Sequence, residues 1–228
     1  MTMTRASLAV PAAHGVRDHA DAVPAQLRLS GVLLFCLAAQ FMTVIMLAAS
    51  MAPGYDLNGG AISDLGVIDE TALLFNASLI GVGVLNVASG LLLYRATGRR
   101  SILAIFTAAG LGAAGAGLVP LDRSDLHGIF ALVAFLLFNV EAIAGATLVT
   151  GPMRVISWLA GLVGIGFVVL MAIGDSVNSG VFGAMGHGGA ERMIVYPVML
   201  WLLAFGGSLM ASRSEVPEVP EVPKTAER

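Results

Sequence analysis

Hydrophobic and polar positions alternate along this chain in long blocks, and six of the blocks are apolar. They cover residues 29–51, 71–94, 101–119, 127–149, 155–173 and 193–211. Each is close to the ~20 residues that an α-helix rising ~1.5 Å per residue needs to cross ~30 Å of hydrocarbon. The pattern therefore predicts an all-α fold, an integral membrane bundle of six transmembrane helices.

The two ends of the chain differ from these blocks. Residues 1–28 mix Arg, Asp, His and Pro with small residues and hold no uninterrupted apolar run of the kind found in a cleavable signal peptide. Residues 213–228 repeat Glu-Val-Pro three times, and proline at every third position disfavours both helix and sheet. We expect a six-helix domain over 29–212, with a disordered N-terminal segment and a disordered C-terminal tail.

The basic residues predict the orientation of the bundle. Ten of the 12 Lys and Arg residues lie before the first block, between the second and third, between the fourth and fifth, or after the sixth. The only basic residues on the opposite side are Arg123 and Arg192, and most of the acidic loop residues also lie there. By the positive-inside rule we expect both termini in the cytoplasm and the protein in the plasma membrane.

Composition narrows the class of function. A hydrophobic content of 57%, a charged content of 12% and a mean hydropathy of +0.87 exclude an ordinary soluble domain. The charges are segregated by membrane side and form no basic patch, so we expect membrane lipid and no nucleic acid as a partner.

Polar residues concentrate at the predicted outer ends of the helices. Two intervals there, 52–70 and 174–192, are rich in glycine and long for simple connections. We therefore expect an outward-facing polar pocket covered by two Gly-rich loops. Its candidate residues are Ser63, Asp64, Asn76, Asp122, Arg123, His127, His187, Glu191, Arg192 and Tyr196.

Three interpretations of these residues remain open, and the first two involve no catalysed reaction. In one, they cap helices and pair at the membrane interface, with Asp122 among the candidate N-caps. In the second, they form a binding site in which Arg123 and Arg192 hold a lipid head group or a small anion, while Asp64, Asp122 and His127 organise the pocket.

The third interpretation is catalysis by a membrane-embedded lipid hydrolase or transferase. Asp64, His127 and Glu191 are the candidate catalytic residues, and Ser63 is a candidate nucleophile. Asp64, His127 and His187 are candidate metal ligands, so a bound metal ion stays open although we predict no cofactor. His187 and Glu191 are four residues apart, but the two glycines between them argue against a helix at that point.

Glu141 is the clearest of the polar residues inside the apolar blocks, where burying a polar side chain in hydrocarbon costs free energy. Glu141 lies about 21 Å below His127 if the fourth block is helical, and no Lys or Arg lies at that depth. Asn86 and Asn139 lie at comparable depth. Glu141 therefore pairs with a neutral partner for structural reasons, or it serves a small-solute or proton-coupled transporter.

Several short segments also resemble a known family. Residues 61–66 (Ala-Ile-Ser-Asp-Leu-Gly), 74–76 (Leu-Phe-Asn), 119–122 (Val-Pro-Leu-Asp) and 188–192 (Gly-Gly-Ala-Glu-Arg) resemble motifs of an uncharacterised prokaryotic six-helix membrane family, the domain of unknown function 998. The resemblance covers roughly 29–211. The first segment is also distantly similar to DRAM, Sfk and Frag-type membrane proteins, whose association with lipid remodelling implies a lipid-related role.

Overall fold

The computed structural model describes residues 25–211, and in this part of the chain the backbone forms six α-helices and two short 3₁₀ helices. The α-helices are α1 (Ala25–Met51), α2 (Ala72–Thr97), α3 (Arg100–Leu118), α4 (Leu126–Gly145), α5 (Gly151–Ser176) and α6 (Gly186–Ala211). The 3₁₀ helices are Ile62–Gly66, before α2, and Ser179–Met185, before α6. All six α-helices are long and apolar enough to cross a membrane, which confirms the predicted all-α bundle.

The helix ends differ from the apolar blocks in ways that have local causes. α1 begins at Ala25, four residues before the first block, because a helix needs no apolar residue in its first turn. α4 ends at Gly145 rather than at 149, since the amides of Thr147 and Leu148 bond to carbonyls three residues back and tighten the chain into a turn. The predicted disorder covers 1–28 and 213–228; residues 25–28 instead form the first turn of α1, and 1–24 and 213–228 lie outside the described residues.

The six helices form a closed ring in chain order. Each packs against the next along the chain, α1 packs against α6, and α4 also meets α6 across the ring. The connections 52–71, 119–125 and 177–185 lie at one end of the bundle, which we call the long-loop end. The connections 98–99 and 146–150 lie at the other, the short-loop end.

Small residues allow the helix backbones to approach closely inside this ring. A Cβ on Gly83 of α2 would collide with the Gly110 carbonyl of α3, and a Cβ on Gly31 of α1 would meet the Gly206 carbonyl of α6. Glycine therefore sets the helix spacing at both contacts. The core between the helices is filled by large apolar side chains such as Trp201, whose ring stacks on Phe205.

The long-loop end is more ordered than two Gly-rich loops would be. Much of the interval 174–192 is helical, because α5 continues to Ser176 and α6 already begins at Gly186. The expectation that the two glycines before Glu191 prevent a helix is therefore wrong. Gly188 allows α6 to press against the α1–α2 connection: its amide donates to the Asn58 carbonyl at 2.9 Å, and a Cβ there would overlap the Gly60 carbonyl.

Candidate ligand-binding cleft

Glu191, in the second turn of α6, holds the first 3₁₀ helix against the bundle. Its Oε2 accepts a hydrogen bond from the backbone amide of Ile62 at 2.7 Å, and its Oε1 accepts one from the Ser63 hydroxyl at 3.2 Å. Glu191 is only 2% exposed. A buried carboxyl group thus satisfies a backbone donor and a side-chain donor 128 or more residues away in the chain.

Arg192 makes the matching contacts to the preceding part of the loop. Its Nη1 donates to the carbonyls of Gly60 and Gly188 at 3.0 and 2.8 Å, and its Nη2 donates to the Tyr55 hydroxyl at 2.6 Å. The guanidinium carbon also lies 5.7 Å from the centre of the Tyr55 ring. We use the name latch for Glu191 and Arg192 together with the loop residues that they bind, which are Tyr55, Gly60, Ile62 and Ser63.

Tyr55 completes the latch from the loop side. Its hydroxyl donates to the Ala61 carbonyl at 2.7 Å while accepting the bond from Arg192. Burial raises the pKa of the Tyr55 phenol, and the Arg192 bond opposes that rise without cancelling it. The phenol therefore keeps the proton that it donates.

Two acidic residues of the loop accept hydrogen bonds from nearby backbone amides. Asp56 accepts from Asn58 at 3.0 Å and Gly59 at 2.9 Å, and these bonds lower the pKa of the Asp56 carboxyl group. Asp64 accepts from the Ala61 amide at 2.9 Å. The short turns of the loop are thus stabilised by its own side chains.

A cleft of about 530 Å³ lies beside the latch, between α4 and α5. Its polar end, at the long-loop end of the bundle, is formed by Ser63, Asp64, His127, Asp175, His187 and Glu191. Away from that end the lining is apolar or small and comes from α4 (Gly128, Ala131, Leu132, Phe135) and α5 (Val168, Met171, Ala172). The volume is in the usual range for small-molecule sites.

A smaller cavity of about 50 Å³ adjoins the cleft in the interior of the bundle. Ser63, His127 and Glu191 line both spaces, whereas most of the other lining of the cavity is apolar and aromatic, including Phe41, Phe75 and Phe138. The three polar residues therefore stand at the boundary between the cleft and the apolar core.

His127 has one ring nitrogen satisfied by the protein and one that is not. Its Nδ1 lies 2.8 Å from the Val119 carbonyl and 3.2 Å from the Ala116 carbonyl, and both of these oxygens can only accept. Nδ1 therefore carries a proton, and in the neutral ring Nε2 presents a lone pair. No group in the described part of the chain bonds Nε2, although His127 is only 4% exposed.

Asp175 and His187 close the polar end of the cleft near the surface. His187 Nε2 lies 3.2 Å from Asp175 Oδ1, and the Phe182 and His187 rings form a T-shaped pair at a centroid distance of 5.4 Å. Because α6 begins at Gly186, His187 and Glu191 are one helical turn apart and both reach the cleft.

Three of the predicted pocket residues lie elsewhere at the long-loop end. Asn76, Asp122 and Arg123 line a separate groove of about 410 Å³ between α2 and the α3–α4 connection. Asn76 donates to the Gly66 carbonyl at 2.8 Å, and the Arg123–Asp122 pair is exposed with a separation of 3.9 Å. Arg192 lines neither the cleft nor this groove, and Tyr196 is half-buried against the apolar core.

The intramembrane polar residues form contacts of their own. Asn86 donates to Glu141 Oε1 at 2.5 Å and to the Phe106 carbonyl at 2.9 Å, so Glu141 has the neutral partner that the sequence suggested. Asn139 donates to carbonyls of α4 and α6. Glu141 is absent from the lining of both the cleft and the adjoining cavity.

The catalytic and metal interpretations find limited geometric support. Ser63 donates its hydroxyl to Glu191 at 3.2 Å and not to His127, so of these two candidate catalytic residues only Glu191 contacts the candidate nucleophile. Within residues 25–211, no group of three or more His, Cys, Asp or Glu side chains is arranged to hold a metal ion.

Sequence reasoning missed the apolar wall of the cleft and the role of Tyr55. The lining residues of the cleft recur at i, i+3, i+4 and i+7 on both helices: the apolar or small ones at 128, 131, 132 and 135 and at 168, 171 and 172, followed by the polar Asp175. This spacing places each set on one helix face. A helix face that contacts lipid has the same spacing of apolar residues, so only the packing of α4 beside α5 distinguishes a cleft wall from a lipid-facing surface.

Comparison with known proteins gives a family and no closer relative. No curated protein and no solved structure matches the chain. The model of a family described as "Protein of unknown function (DUF998)" matches residues 35–208, which include α2 to α5, most of α1 and α6, the latch and the cleft. The more distant resemblance to DRAM, Sfk and Frag-type proteins stays a prediction. The chain therefore belongs to the DUF998 family of multi-pass membrane proteins.

Proposed function

We propose that this protein binds a single-chain amphiphile in the cleft between α4 and α5. The observation that carries the proposal is the distribution of polarity along one continuous space. Acidic and imidazole side chains lie at its long-loop end, and apolar side chains such as Leu132, Phe135 and Val168 line the remainder. An amphiphile with a polar head and a hydrocarbon chain matches this order of surfaces.

The position of the cleft also favours a ligand that enters from the membrane. Its walls are two helices that are long and apolar enough to be spans, and Leu132 and Ala172 on these walls are exposed on the surface of the chain. A hydrocarbon chain that moves from the bilayer into the cleft exchanges contacts with lipid tails for contacts with apolar side chains, while its head group reaches the polar end. The ligand therefore needs no path through water.

The charge distribution along the sequence supports an outward-facing cleft. The short-loop end carries Arg95, Arg99, Arg100 and Arg154, whereas the long-loop end is predominantly acidic. By the positive-inside rule we place the short-loop end and both termini in the cytoplasm, and the protein in the plasma membrane. The head group of the ligand then lies at the outer leaflet.

Photochemical crosslinking in lipid nanodiscs tests the proposal. The probes are single-chain amphiphiles of one chain length that carry a diazirine in the chain and one of four heads: primary amine, trimethylammonium, alcohol or phosphate. We expect at least one probe to label peptides from the facing walls of α4 and α5. Ala172→Trp fills the cleft from an exposed position and should abolish that labelling.

Ala104→Trp is the matched control, because Ala104 is an exposed position of α3 that borders neither the cleft nor the adjoining cavity. Its labelling should equal that of the wild type. Failure of all four probes to label α4 and α5, or equal labelling in both tryptophan variants, would overturn the proposed function.

A further inference from the structure

We infer that the cleft selects an amphiphile whose head is a hydrogen-bond-donating cation, an amine of the primary or secondary class. This inference rests on the proposed function and adds the chemistry of the head group. It replaces the lipid phosphate or other anion that the two arginines at the long-loop end suggest from the sequence. Two independent features of the polar end lead to it.

The first feature is the lone pair of His127. Nδ1 is committed to the Val119 and Ala116 carbonyls, so the ring cannot turn to offer a donor without losing those bonds. Nε2 lies on the opposite side of the ring, in a residue that lines both the cleft and the adjoining cavity. A buried acceptor of this kind is matched by a ligand that donates a hydrogen bond.

The second feature is the charge of the lining. Asp64 and Asp175 border the polar end together with Glu191. Among residues 25–211, His187 is the only side chain there besides His127 that can become cationic, and it is already paired with Asp175. Asp64 receives one bond, from a backbone amide, which leaves acceptor capacity on its carboxylate. A cationic head is attracted to this lining, whereas an anionic head meets like charge.

Neither arginine of the long-loop end changes this balance. The Nη atoms of Arg192 are bonded to the Gly60 and Gly188 carbonyls and to Tyr55, and Arg192 does not line the cleft. Arg123 lines the separate groove beside α2 and is largely exposed. Among the described residues, the cleft therefore offers acceptors and negative charge to its ligand.

The four probes of one chain length separate charge from donation. The amine has both properties, trimethylammonium has charge without a donor, the alcohol has a donor without charge, and the phosphate has the opposite charge. Competition among them for the crosslinking site gives relative affinities. We expect the amine to bind about tenfold more tightly than the alcohol or trimethylammonium, since charge-assisted hydrogen bonds are roughly twice as strong as neutral ones.

Two variants assign the selectivity to residues. Asp64→Asn keeps an oxygen that can accept from Ala61 and removes the charge, so the advantage of the amine over the alcohol should fall several-fold while labelling by the alcohol persists. His127→Phe removes the lone pair, and it should reduce the advantage of the amine over trimethylammonium. Asp122→Asn, in the separate groove, is the charge-matched control and should leave the order of the four heads unchanged.

Each outcome decides a different point. If the alcohol or trimethylammonium competes as well as the amine, or if the phosphate competes best, the inferred head chemistry is wrong while the amphiphile site stands. An unchanged preference in Asp64→Asn also contradicts it, and this variant remains informative if His127→Phe does not fold. If no probe labels α4 and α5, the proposed function itself fails.

Discussion

Replacing Glu191 tests whether the latch is held by a single buried carboxyl group. We compare Glu191→Ala, which removes both acceptor oxygens, with Glu191→Gln, which keeps the side-chain shape. In the alanine variant the Ile62 amide and the Ser63 hydroxyl lose their partner on α6. The glutamine carbonyl can still accept from Ile62, and its amide can donate to the Ser63 oxygen.

The expected magnitudes follow from these contacts. A hydrogen bond contributes about 0.5–1.5 kcal/mol, and a buried donor left without a partner costs about 1–3 kcal/mol. Because the Ile62 amide is buried and the Ser63 hydroxyl is only half-buried, we expect Glu191→Ala to reduce the free energy needed to detach the first 3₁₀ helix from α6 by about 3 kcal/mol. Glu191→Gln should reduce it by about 1 kcal/mol.

Hydrogen exchange measured by mass spectrometry reports this free energy directly. Peptides covering 58–66 should exchange about a hundredfold faster in Glu191→Ala and only several-fold faster in Glu191→Gln, since each 1.4 kcal/mol is a factor of ten. Asp122→Asn serves as the control, because the Asp122 side chain is 59% exposed and its ion pair is with an exposed arginine.

Two results would refute the reasoning about the latch. Equal exchange rates in the alanine and glutamine variants would mean that the acceptor oxygen does not hold the loop. Unchanged exchange in the alanine variant, with Asp122→Asn as the baseline, would mean that other contacts keep the first 3₁₀ helix in place.

Three further predictions concern helix packing, acid sensitivity and orientation. Gly83→Ala should destabilise the bundle by about 1–3 kcal/mol in detergent unfolding because its Cβ meets α3, while Gly81→Ala in the same helix, with open space around it, should be neutral or slightly stabilising. The lowered pKa of Asp56 means that its contribution to loop stability is present above the unfolded-state value of 3.8 and is lost as the pH falls through the lower folded value. The protection factors of the Asn58 and Gly59 amides, corrected for the intrinsic slowing of exchange at low pH, should therefore fall in acid. A cysteine at Ser179 should react with an impermeant maleimide in intact cells and one at Thr97 should not; the reverse labelling would invert the proposed orientation.

The sequence predicts the bundle well because hydrophobic length is a local property. Each span can be read from about twenty consecutive residues without knowledge of its neighbours. It predicts the start of α6 poorly, because two glycines lower helix propensity and only the nearby loop shows why they are tolerated. Gly188 lies where the Gly60 carbonyl leaves no room for a side chain, so a tertiary contact overrides the local preference.

The candidate site likewise has features that the sequence predicts and features that depend on tertiary packing. The prediction that polar residues gather at one end of the bundle depends on topology alone, and Ser63, His127 and Glu191 do meet there. Which residues share a cleft depends on the order of the helices around the ring. Arg123 follows α3 and lies in a different groove from Glu191 of α6, and no pattern within either helix indicates this separation.

The latch and the cleft share Ser63 and Glu191, so closing the loop and forming the polar end of the cleft are one structural event. A ligand that binds only the latched form must therefore stabilise the latch by mass action, by about 2.7 kcal/mol when it is present at a hundred times its dissociation constant. The amide of Ile62, which Glu191 holds, then becomes a reporter of ligand binding without contacting the ligand. A bound amphiphile that leaves its exchange unchanged would occupy some other surface of the bundle.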